Sequence, residues 1–308
     1  ANILPHNDDI EEFEEFVKDI KNYGFDAVLV ADLGLFDMMQ ELAPEIPIHV
    51  STQANNINYR SAIKWYKMGA TRVVLAREMS FKEIAEFQKK IPEDLELEAF
   101  IHGAMCISYS GRCLLSNYMT GRDSNMGACA HPCRWNYKLV EETRPGEYMD
   151  VFENERGTFI FNSKDLCTIR HIPELVQSGI ASLKIEGRVK TSYYVATVVG
   201  AYRREIDRYC ADPENYVFNE AEYEELCKVS HRPYTTGFYF GKPDENSQVY
   251  TSSSYIRDYD LIGIVKDYDE KTGIATITQR NRFFKGDEIE IIQPMKPFFV
   301  QTVESMCD

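Results

Sequence analysis

The sequence predicts an α/β fold: a TIM-like (β/α) barrel with a cysteine-rich insertion, followed by a small C-terminal β-barrel domain. Two patterns in the first 210 of the 308 residues support this prediction. Short apolar runs, typical of strands buried in a parallel sheet, alternate with amphipathic helical segments. The connections between them are short, as in sheets whose parallel strands are joined by helices. An open doubly wound sheet is the alternative, but the sequence has no glycine-rich dinucleotide motif to support it.

Five apolar runs are predicted to be the strands of this sheet, at residues 26–32, 47–53, 71–78, 96–103 and 182–188. Residues 1–4 add at most half a strand. Because a closed barrel of this type has eight strands, we expect the barrel to be open or N-terminally incomplete. Polar residues end the five runs, and the carboxyl ends of barrel strands form the active-site face.

Amphipathic helices are predicted between these strands. The first runs from Asp8 to Gly24, with an acidic start and a glycine stop. Similar patterns occupy residues 58–69 and 80–92, and the longest predicted helix spans residues 192–210. Each carries an apolar stripe, which is expected to pack against the sheet.

The chain is predicted to have three parts. Residues 1–210 form the barrel-like domain, which an insertion at residues 103–181 interrupts. Residues 211–250 form a linker with a helix and a hairpin. Residues 251–308 alternate as the strands of a small β-barrel, and because the pattern is still running at its end we expect this domain to be truncated.

The insertion has predicted structure of its own. Short strands are expected at residues 137–142 and 157–167, followed by a helix at residues 169–179. Because it follows the fourth strand, the insertion would lie on the functional face of a barrel. Long insertions inside compact domains are usually functional.

Charge and hydropathy exclude some classes of protein. The net charge of −15 argues against broad nonspecific binding to nucleic acid. Residues 101–210 are the exception, with 14 Lys and Arg against 12 Asp and Glu. No apolar run reaches the roughly 18 residues of a membrane helix, and no signal segment opens the sequence. A cytoplasmic protein without a membrane partner is therefore expected, in an oligomeric state that the sequence does not specify.

Five of the eight cysteines fall within one stretch of the chain. They are Cys106, Cys113, Cys129, Cys133 and Cys167. A chain of this length is not a disulfide-dense secreted module, so clustered thiols indicate metal or catalysis. Thiolates are the usual ligands of iron–sulfur clusters, and they also bind zinc. The spacing alone leaves a cluster, structural zinc, disulfides and ordinary buried thiols open.

Residues near predicted strand ends are candidates for catalysis. Glu98, His102 and Glu186 would position a substrate, with structural ion pairs as the alternative. His49 and Gln53 are four residues apart on one predicted strand, so both are expected to face the barrel interior and contact the substrate.

Basic and aromatic side chains are candidates for binding an anionic substrate. The arginine and lysine candidates are Lys184, Arg188, Lys190, Arg112, Arg122 and Arg134. Arginine forks suit phosphates and carboxylates, and a solvated surface is the alternative. Tyr193, Tyr194 and Trp135 are candidates for stacking on an unpaired base, and ordinary packing is the alternative.

The region around the first cysteines resembles peptidase family U32. The matching positions are Glu98, Phe100, Gly103, Ala104, Met105, Cys106, Gly111, Cys113, Leu115 and Ser116. The segments RDSNMGACAHPCRW, FNSKDLC and SLKIEGRVKTSYYVATVVGAYR are similar to the same family. The family begins with further βα units, and their absence here would explain the short strand count.

The resemblance implies a function beyond the family's name. It implies iron–sulfur-dependent RNA modification, closest to the branch that forms 5-hydroxyuridine at tRNA U34 with prephenate or a related small carboxylate. It also implies that Cys106, Cys113, Cys129 and Cys167 bind a 4Fe-4S cluster, with Cys133 in reserve and zinc as the alternative. The implied partners are tRNA and the carboxylate, which the basic residues would bind.

Two other functions stay open. One is a U32-type, collagenase-like peptidase, although no HExxH motif, nucleophile elbow or Ser/His/Asp set stands out. His131 lies beside Cys129 and Cys133 in sequence, but a catalytic pair needs geometry that the sequence does not give. The other is a zinc-structured scaffold that binds RNA or another partner.

Overall fold

The structure is a computed structural model that describes residues 2–106, 108–135, 164–241, 256, 259–294 and 296–307. The chain divides into two compact units. The first comprises Ala1–Glu186 and Arg232–Ser254, and the second comprises Gly187–His231 and Tyr255–Asp308. None of the described helices is long and apolar enough to cross a membrane.

The first unit is built on a mixed sheet whose main body is parallel. Its parallel strands are β1 (Val28–Val30), β2 (Ile48–Val50), β3 (Ala70–Val74), β4 (Glu96–Ala104) and β6 (Ser182–Ile185), each pairing with the next in that order. Each of these strands overlaps one of the five predicted runs, which confirms an α/β fold with a parallel sheet. Among the described residues β1 and β6 each pair with one parallel strand, so closure of the barrel stays a prediction.

Two short strands extend this sheet. β5 (Asp165–Cys167) pairs antiparallel with the last residues of β4, and β7 (Tyr234–Thr235) pairs parallel with β5. Tyr234–Thr235 lie in the predicted linker at residues 211–250, whose predicted hairpin stays a prediction because residues 242–250 lie outside the described residues. Residues 137–142, predicted as a strand, lie outside the described residues, as do residues 157–163.

Helices alternate with the strands of the first unit. They are α1 (Asn7–Ile20), α2 (Leu33–Leu42), α3 (Tyr59–Lys67), α4 (Phe81–Gln88), α5 (Leu115–Thr120) and α6 (Ile172–Gln177). Local capping sets several starts: the Asp32 carboxylate accepts N–H groups of Gly34 and Leu35, and Ser80 forms a capping box with Glu83. The predicted helix at residues 169–179 is a 3-10 turn followed by α6.

The two faces of the parallel sheet differ in polarity. Val28, Val30, Ile48, Val50 and Leu97 are buried in a core that includes helix residues such as Phe36 and Met39. On β2, β3, β4 and β6, residues on the opposite face include the polar side chains of His49, Arg72, Glu98 and Lys184, because successive side chains of a strand point to opposite faces. The charged residues of the candidate site lie on this polar face.

Two sequence predictions at strand ends are wrong. Residues 2–4 form no strand, and the Leu4 N–H donates to the Asn125 backbone oxygen instead. The second strand is shorter than predicted: it ends at Val50, and Thr52–Ala54 is a 3-10 turn. Gln53 therefore does not share a strand with His49.

The second unit contains two long helices and two antiparallel pairs. α7 (Ser192–Ala211) and α8 (Glu220–Lys228) are linked by Arg204, which donates to both Glu222 carboxylate oxygens at 2.8 and 2.6 Å. The strand pairs are β8 (Gly263–Asp269) with β9 (Ile274–Gln279), and β10 (Glu288–Gln293) with β11 (Lys296–Thr302). Antiparallel strands are thus present in this region, and their closure into a small barrel stays a prediction.

Candidate functional site

A row of charged side chains crosses the polar face of the parallel sheet. Strand register aligns His49 with Arg72 and Arg72 with Glu96. The Glu98 carboxylate accepts from Lys184 Nζ at 2.6 Å and Ser182 Oγ at 2.9 Å, and Arg72 Nη1 lies 3.3 Å away. The charges of Arg72, Glu98 and Lys184 therefore alternate in sign across β3, β4 and β6.

Glu98 is held in its ionised form. Burial alone would raise the pKa of this carboxyl, since Glu98 is only 6% exposed. The hydrogen bond and charge of Lys184, the Ser182 hydroxyl and the Arg72 guanidinium outweigh burial and lower the pKa below its ordinary value. Glu98 is thus an anionic anchor for Lys184, and it is a poor general base because its proton affinity is low.

His49 faces the same network from β2. Burial lowers the pKa of His49, and the nearby Arg72 guanidinium lowers it further. The ring is therefore favoured in its neutral form, in which one nitrogen accepts and the other donates. The structure brings together His49, Glu98 and Lys184, three of the residues that the sequence singled out.

Glu186 and His102 lie beyond this row. Glu186 Oε2 is 3.6 Å from Arg77 Nη2, and the Arg77 guanidinium carbon lies 3.9 Å from the centre of the Phe100 ring. His102 is buried and pairs with Cys167 across β4 and β5. Directly opposed residues on antiparallel strands project to the same face, so His102 and Cys167 are neighbours.

Residues that follow β2 and β3 form hydrogen bonds to the loop that leads from Cys106 to Cys113. The Glu78 carboxylate accepts the Ser110 backbone N–H and the Ser110 hydroxyl, both at 2.7 Å. Arg112 Nε donates to the Gln53 backbone oxygen at 2.9 Å. The ends of β2 and β3 thus determine where this loop lies.

Gly103 allows β4 to pass close to the end of β6. Its φ is +106°, a conformation that side chains disfavour, and a Cβ there would collide with the backbone oxygen of Glu186. The glycine that opens the Gly103–Cys106 motif is therefore required by local geometry.

Three thiols are neighbours in this loop region. Burial raises the pKa of the Cys106 thiol, Arg77 lowers it, and negative charge on Cys113 or Cys129 would raise it further. The Leu115 N–H donates to Cys113 Sγ at 3.4 Å, and the His131 N–H donates to Cys129 Sγ at 3.3 Å. Backbone N–H groups directed at sulfur stabilise thiolates and tune iron–sulfur clusters.

The remaining cysteines differ in their surroundings. Cys133 and Cys167 are buried, Cys210 and Cys307 are exposed, and Cys227 is half-buried. All eight cysteines lie in the described part of the chain, and none forms a disulfide there.

The donor set has the chemistry of a cluster site, since soft thiols with N–H donors select iron–sulfur or zinc. Within the described ranges, however, no three His, Cys, Asp or Glu side chains are placed as a set of metal ligands. The thiols thus fit such a group by their chemistry, whereas their positions in the described part of the chain do not form a ligand set.

The other predicted binding residues are dispersed. Gln53 lies in its 3-10 turn with a buried side-chain oxygen, and Arg188 is exposed in the second unit. Lys190 Nζ donates to the Ser230 backbone oxygen at 2.8 Å. The side chain of Arg134 lies outside the described part. Tyr194 is only 2% exposed, so its predicted stacking on a base is wrong.

From the sequence, we did not identify Arg72, Arg77 or Glu78 as candidate site residues. Arg72 interrupts an apolar run at the position that alternates with Val73, a spacing that places it on the opposite face of β3. That alternation was a usable signal. The partners of Arg77 and Glu78 come from distant segments, so nothing local identified them.

Comparison with protein families shows the family to which this chain belongs. Residues 1–249 match Peptidase family U32, and residues 257–308 match the Peptidase family U32 C-terminal domain. This chain belongs to peptidase family U32. Among its relatives, tRNA hydroxylation protein P1 of Bacillus subtilis (strain 168) is 43% identical over 308 residues, 100% of this chain and 72% of the relative.

Other relatives in the family are named for tRNA hydroxylation or as a collagenase. The tRNA hydroxylation protein P of Escherichia coli (strain K12) is 37% identical, over 96% of this chain and 73% of the relative. A protein named collagenase from Porphyromonas gingivalis is 29% identical, over 99% and 74%. A solved U32 peptidase matches at 16% identity over 48% of this chain and 57% of that one, with a TM-score of 0.30, too low to establish a shared fold.

Proposed function

We propose that this U32 protein is an enzyme that hydroxylates tRNA and forms 5-hydroxyuridine at U34. The observation that carries the proposal is similarity over the full chain, at 43% identity, to a protein named for tRNA hydroxylation. The 37% identical relative from Escherichia coli is also named for tRNA hydroxylation. A tRNA substrate also implies a cytoplasmic protein.

A 4Fe-4S cluster is the proposed cofactor, and zinc is the alternative. Cys106, Cys113, Cys129 and Cys167 would hold it, with Cys133 in reserve. The effect of Cys113 and Cys129 on the pKa of Cys106, and the N–H donors to Cys113 and Cys129, support this set. When bound, a cluster would supply electron transfer or a site for a donor.

Prephenate, or a related small carboxylate, is the proposed second substrate. A carboxylate needs cationic donors, and Lys184 and Arg72 present them on the polar face of the sheet. Glu98 holds both cations in place. Arg112 and Arg188 are exposed and would bind the carboxylate or the phosphates of RNA.

We also propose that the polar face is the interior of a (β/α) barrel. One face of the parallel sheet is apolar, while the other carries charged groups on β3, β4 and β6 that are buried or partly buried. That division is expected of strands whose outer face packs on helices and whose inner face lines a site.

Nucleoside analysis of tRNA tests the activity. A strain that lacks this protein should lose 5-hydroxyuridine, and expression of the wild-type chain should restore it. Cys113→Ser should fail to restore it, whereas Cys307→Ser, which changes an exposed thiol, should succeed. Unchanged 5-hydroxyuridine in the deletion strain would contradict the proposal.

Metal analysis tests the cofactor independently. Protein purified without oxygen should contain iron and acid-labile sulfide and should absorb visible light. A colourless protein with one zinc would exclude the cluster and favour the zinc-structured scaffold.

A peptidase is the second candidate, because one relative is named collagenase and is similar over 99% of this chain. The adjacent His102 and Cys167 are the pairing that a cysteine peptidase would use. Both are buried, so this candidate requires the site to open. Gelatin cleavage that Cys167→Ser abolishes would support it.

A further inference from the structure

An exposed apolar face lies on α5, directly after Cys113. Leu114 is 74% exposed and Tyr118 is 86% exposed. The Tyr118 N–H donates to the Leu114 backbone oxygen at 2.9 Å, so the two residues are one helical turn apart and share a face. We call Leu114 and Tyr118 the outer face of α5.

The opposite side of α5 is fixed to the cysteine region. Ser116 is fully buried, and its hydroxyl accepts the Ala130 N–H at 2.9 Å. Two residues along a helix correspond to a rotation of about 200°. Tyr118 therefore projects away from the side that holds Ala130, and it does so from a helix anchored between Cys113 and Cys129.

The segment that carries this outer face is basic, although the chain as a whole is strongly acidic. Residues 108–135 contain three arginines and one acidic residue, whereas the whole chain has a net charge of −15. Arg112 precedes the face, and Arg122 follows it, after the left-handed Gly121 that ends α5. Both arginines are exposed. Local positive charge next to an exposed ring is complementary to a polyanion that carries aromatic bases.

We propose that Tyr118 is a stacking platform for an unpaired base of the RNA substrate, with Arg112 and Arg122 binding the flanking phosphates. The inference rests on the proposed tRNA function and names the surface that would hold the nucleic acid. Aromatic side chains stack on splayed bases in single-stranded RNA loops. The outer face contains two side chains, far fewer than the 20 to 30 residues a stable protein interface typically uses per partner.

Trp135, one of the three aromatic candidates from the sequence, is 44% exposed and stays a prediction, but the other two do not offer such a platform. Tyr194 is buried. Tyr193 is half-buried near Glu225 and Glu290, and burial, followed by these carboxylates, raises its pKa to about 12. An acidic setting repels phosphate, so Tyr118 is the better candidate.

Binding of an anticodon stem–loop RNA, followed by fluorescence anisotropy with the full chain, tests the proposal. Tyr118→Ala should weaken binding by between about 5-fold and 100-fold, and Tyr118→Phe, which keeps the ring, should stay within about 2-fold of wild type. Tyr23→Ala is the matched control, since Tyr23 is 73% exposed but follows α1 at the amino edge of β1. It should bind as wild type does.

A salt series tests the phosphate contacts. Arg122→Glu should weaken binding and reduce the slope of log affinity against log salt by about 1 or more. Arg60→Glu makes the same charge change on exposed α3 and should leave the slope near its wild-type value.

The outcomes separate this proposal from the function on which it rests. If wild type binds the RNA and Tyr118→Ala binds equally well, the stacking platform is wrong while the tRNA function stands. If wild type does not bind the RNA, both are wrong. Unchanged RNA binding together with loss of self-association in Tyr118→Ala would assign the outer face to a protein contact and overturn the proposal.

Discussion

Glu78, which follows β3, accepts two hydrogen bonds from Ser110, one from its backbone N–H and one from its hydroxyl, each at 2.7 Å. Ser110 has a φ of +43°, which is a strained value for a residue with a side chain. The two bonds to a carboxylate stabilise that conformation. They connect the functional edge of the sheet to the loop between Cys106 and Cys113.

Glu78→Ala should release this loop. Because the Ser110 N–H would lose its charged acceptor, we expect a loss of about 1–3 kcal/mol in the free energy of unfolding. Metal content after anaerobic reconstitution should fall as well, since Cys113 lies three residues further on. Urea denaturation and iron analysis measure the two effects.

Glu86→Ala is the control. It removes an exposed carboxylate paired with Lys89 and should change stability and metal content only slightly. Equal metal content in Glu78→Ala and wild type would show that the loop does not depend on Glu78.

Gly103→Ala should destabilise the first unit. The added methyl group would meet the backbone of Glu186, and φ is +106° at this position. We expect a loss of roughly 1–3 kcal/mol, or failure to fold if β4 and β6 separate.

Gly24→Ala is a matched control for this prediction. Gly24 also has a positive φ, +65°, but a Cβ there would meet nothing within 4 Å. Its cost should be about 1 kcal/mol, from backbone conformation alone. Thermal unfolding of the two variants separates crowding from conformational strain, and equal losses would mean that the contact with Glu186 is unimportant.

The parallel sheet could be predicted from sequence because buried strands have a local pattern. Runs such as DAVLVAD carry apolar residues at every core position of β1. α2 was missed because LGLFDMMQEL is apolar on most sides, and Asp32 was interpreted as a strand end although it caps that helix. β5 has three residues and pairs with a strand about 60 positions earlier, so its direction depends on tertiary contacts.

The sequence allowed several residues of the candidate site to be chosen, but it did not allow their contacts to be predicted. Glu98 and Lys184 could be chosen as polar residues near strand ends, but their pairing depends on β6 lying beside β4 across the insertion. Gln53 was placed on a strand because the predicted run was extended to residue 53, although its apolar residues end at Val50 and the backbone then turns.

The Glu98 network should make stability depend on pH. Because the folded pKa of Glu98 is lowered from 4.5, its contribution is fully present above the unfolded pKa and is lost as pH falls through the folded pKa. Glu98→Gln should therefore lower the free energy of unfolding at pH 7 by about 1–3 kcal/mol and flatten its decline below pH 4.5.

Urea denaturation at several pH values measures this effect. Glu96→Gln is the control, since Glu96 is more exposed than Glu98 and bonds Arg72 at the edge of the row. It should have a smaller effect at pH 7. Parallel pH profiles for Glu98→Gln and wild type would contradict a lowered pKa at Glu98.

Cys129 and Cys133 should differ in their effect on the proposed cluster. Negative charge on Cys129 would raise the pKa of Cys106, and Cys129 Sγ accepts the His131 N–H. Cys133 lies four residues further along and is buried in the 3-10 turn at Pro132–Arg134. Cys129→Ser should therefore lose most of its iron and its visible absorption after anaerobic reconstitution. Cys133→Ser should retain both.

Cys210→Ser changes an exposed thiol in the second unit and controls for loss of iron during purification and reconstitution. If Cys133→Ser loses its iron and Cys129→Ser keeps it, the reserve ligand is the true one, and the turn at His131 orients Cys133 toward the other thiols.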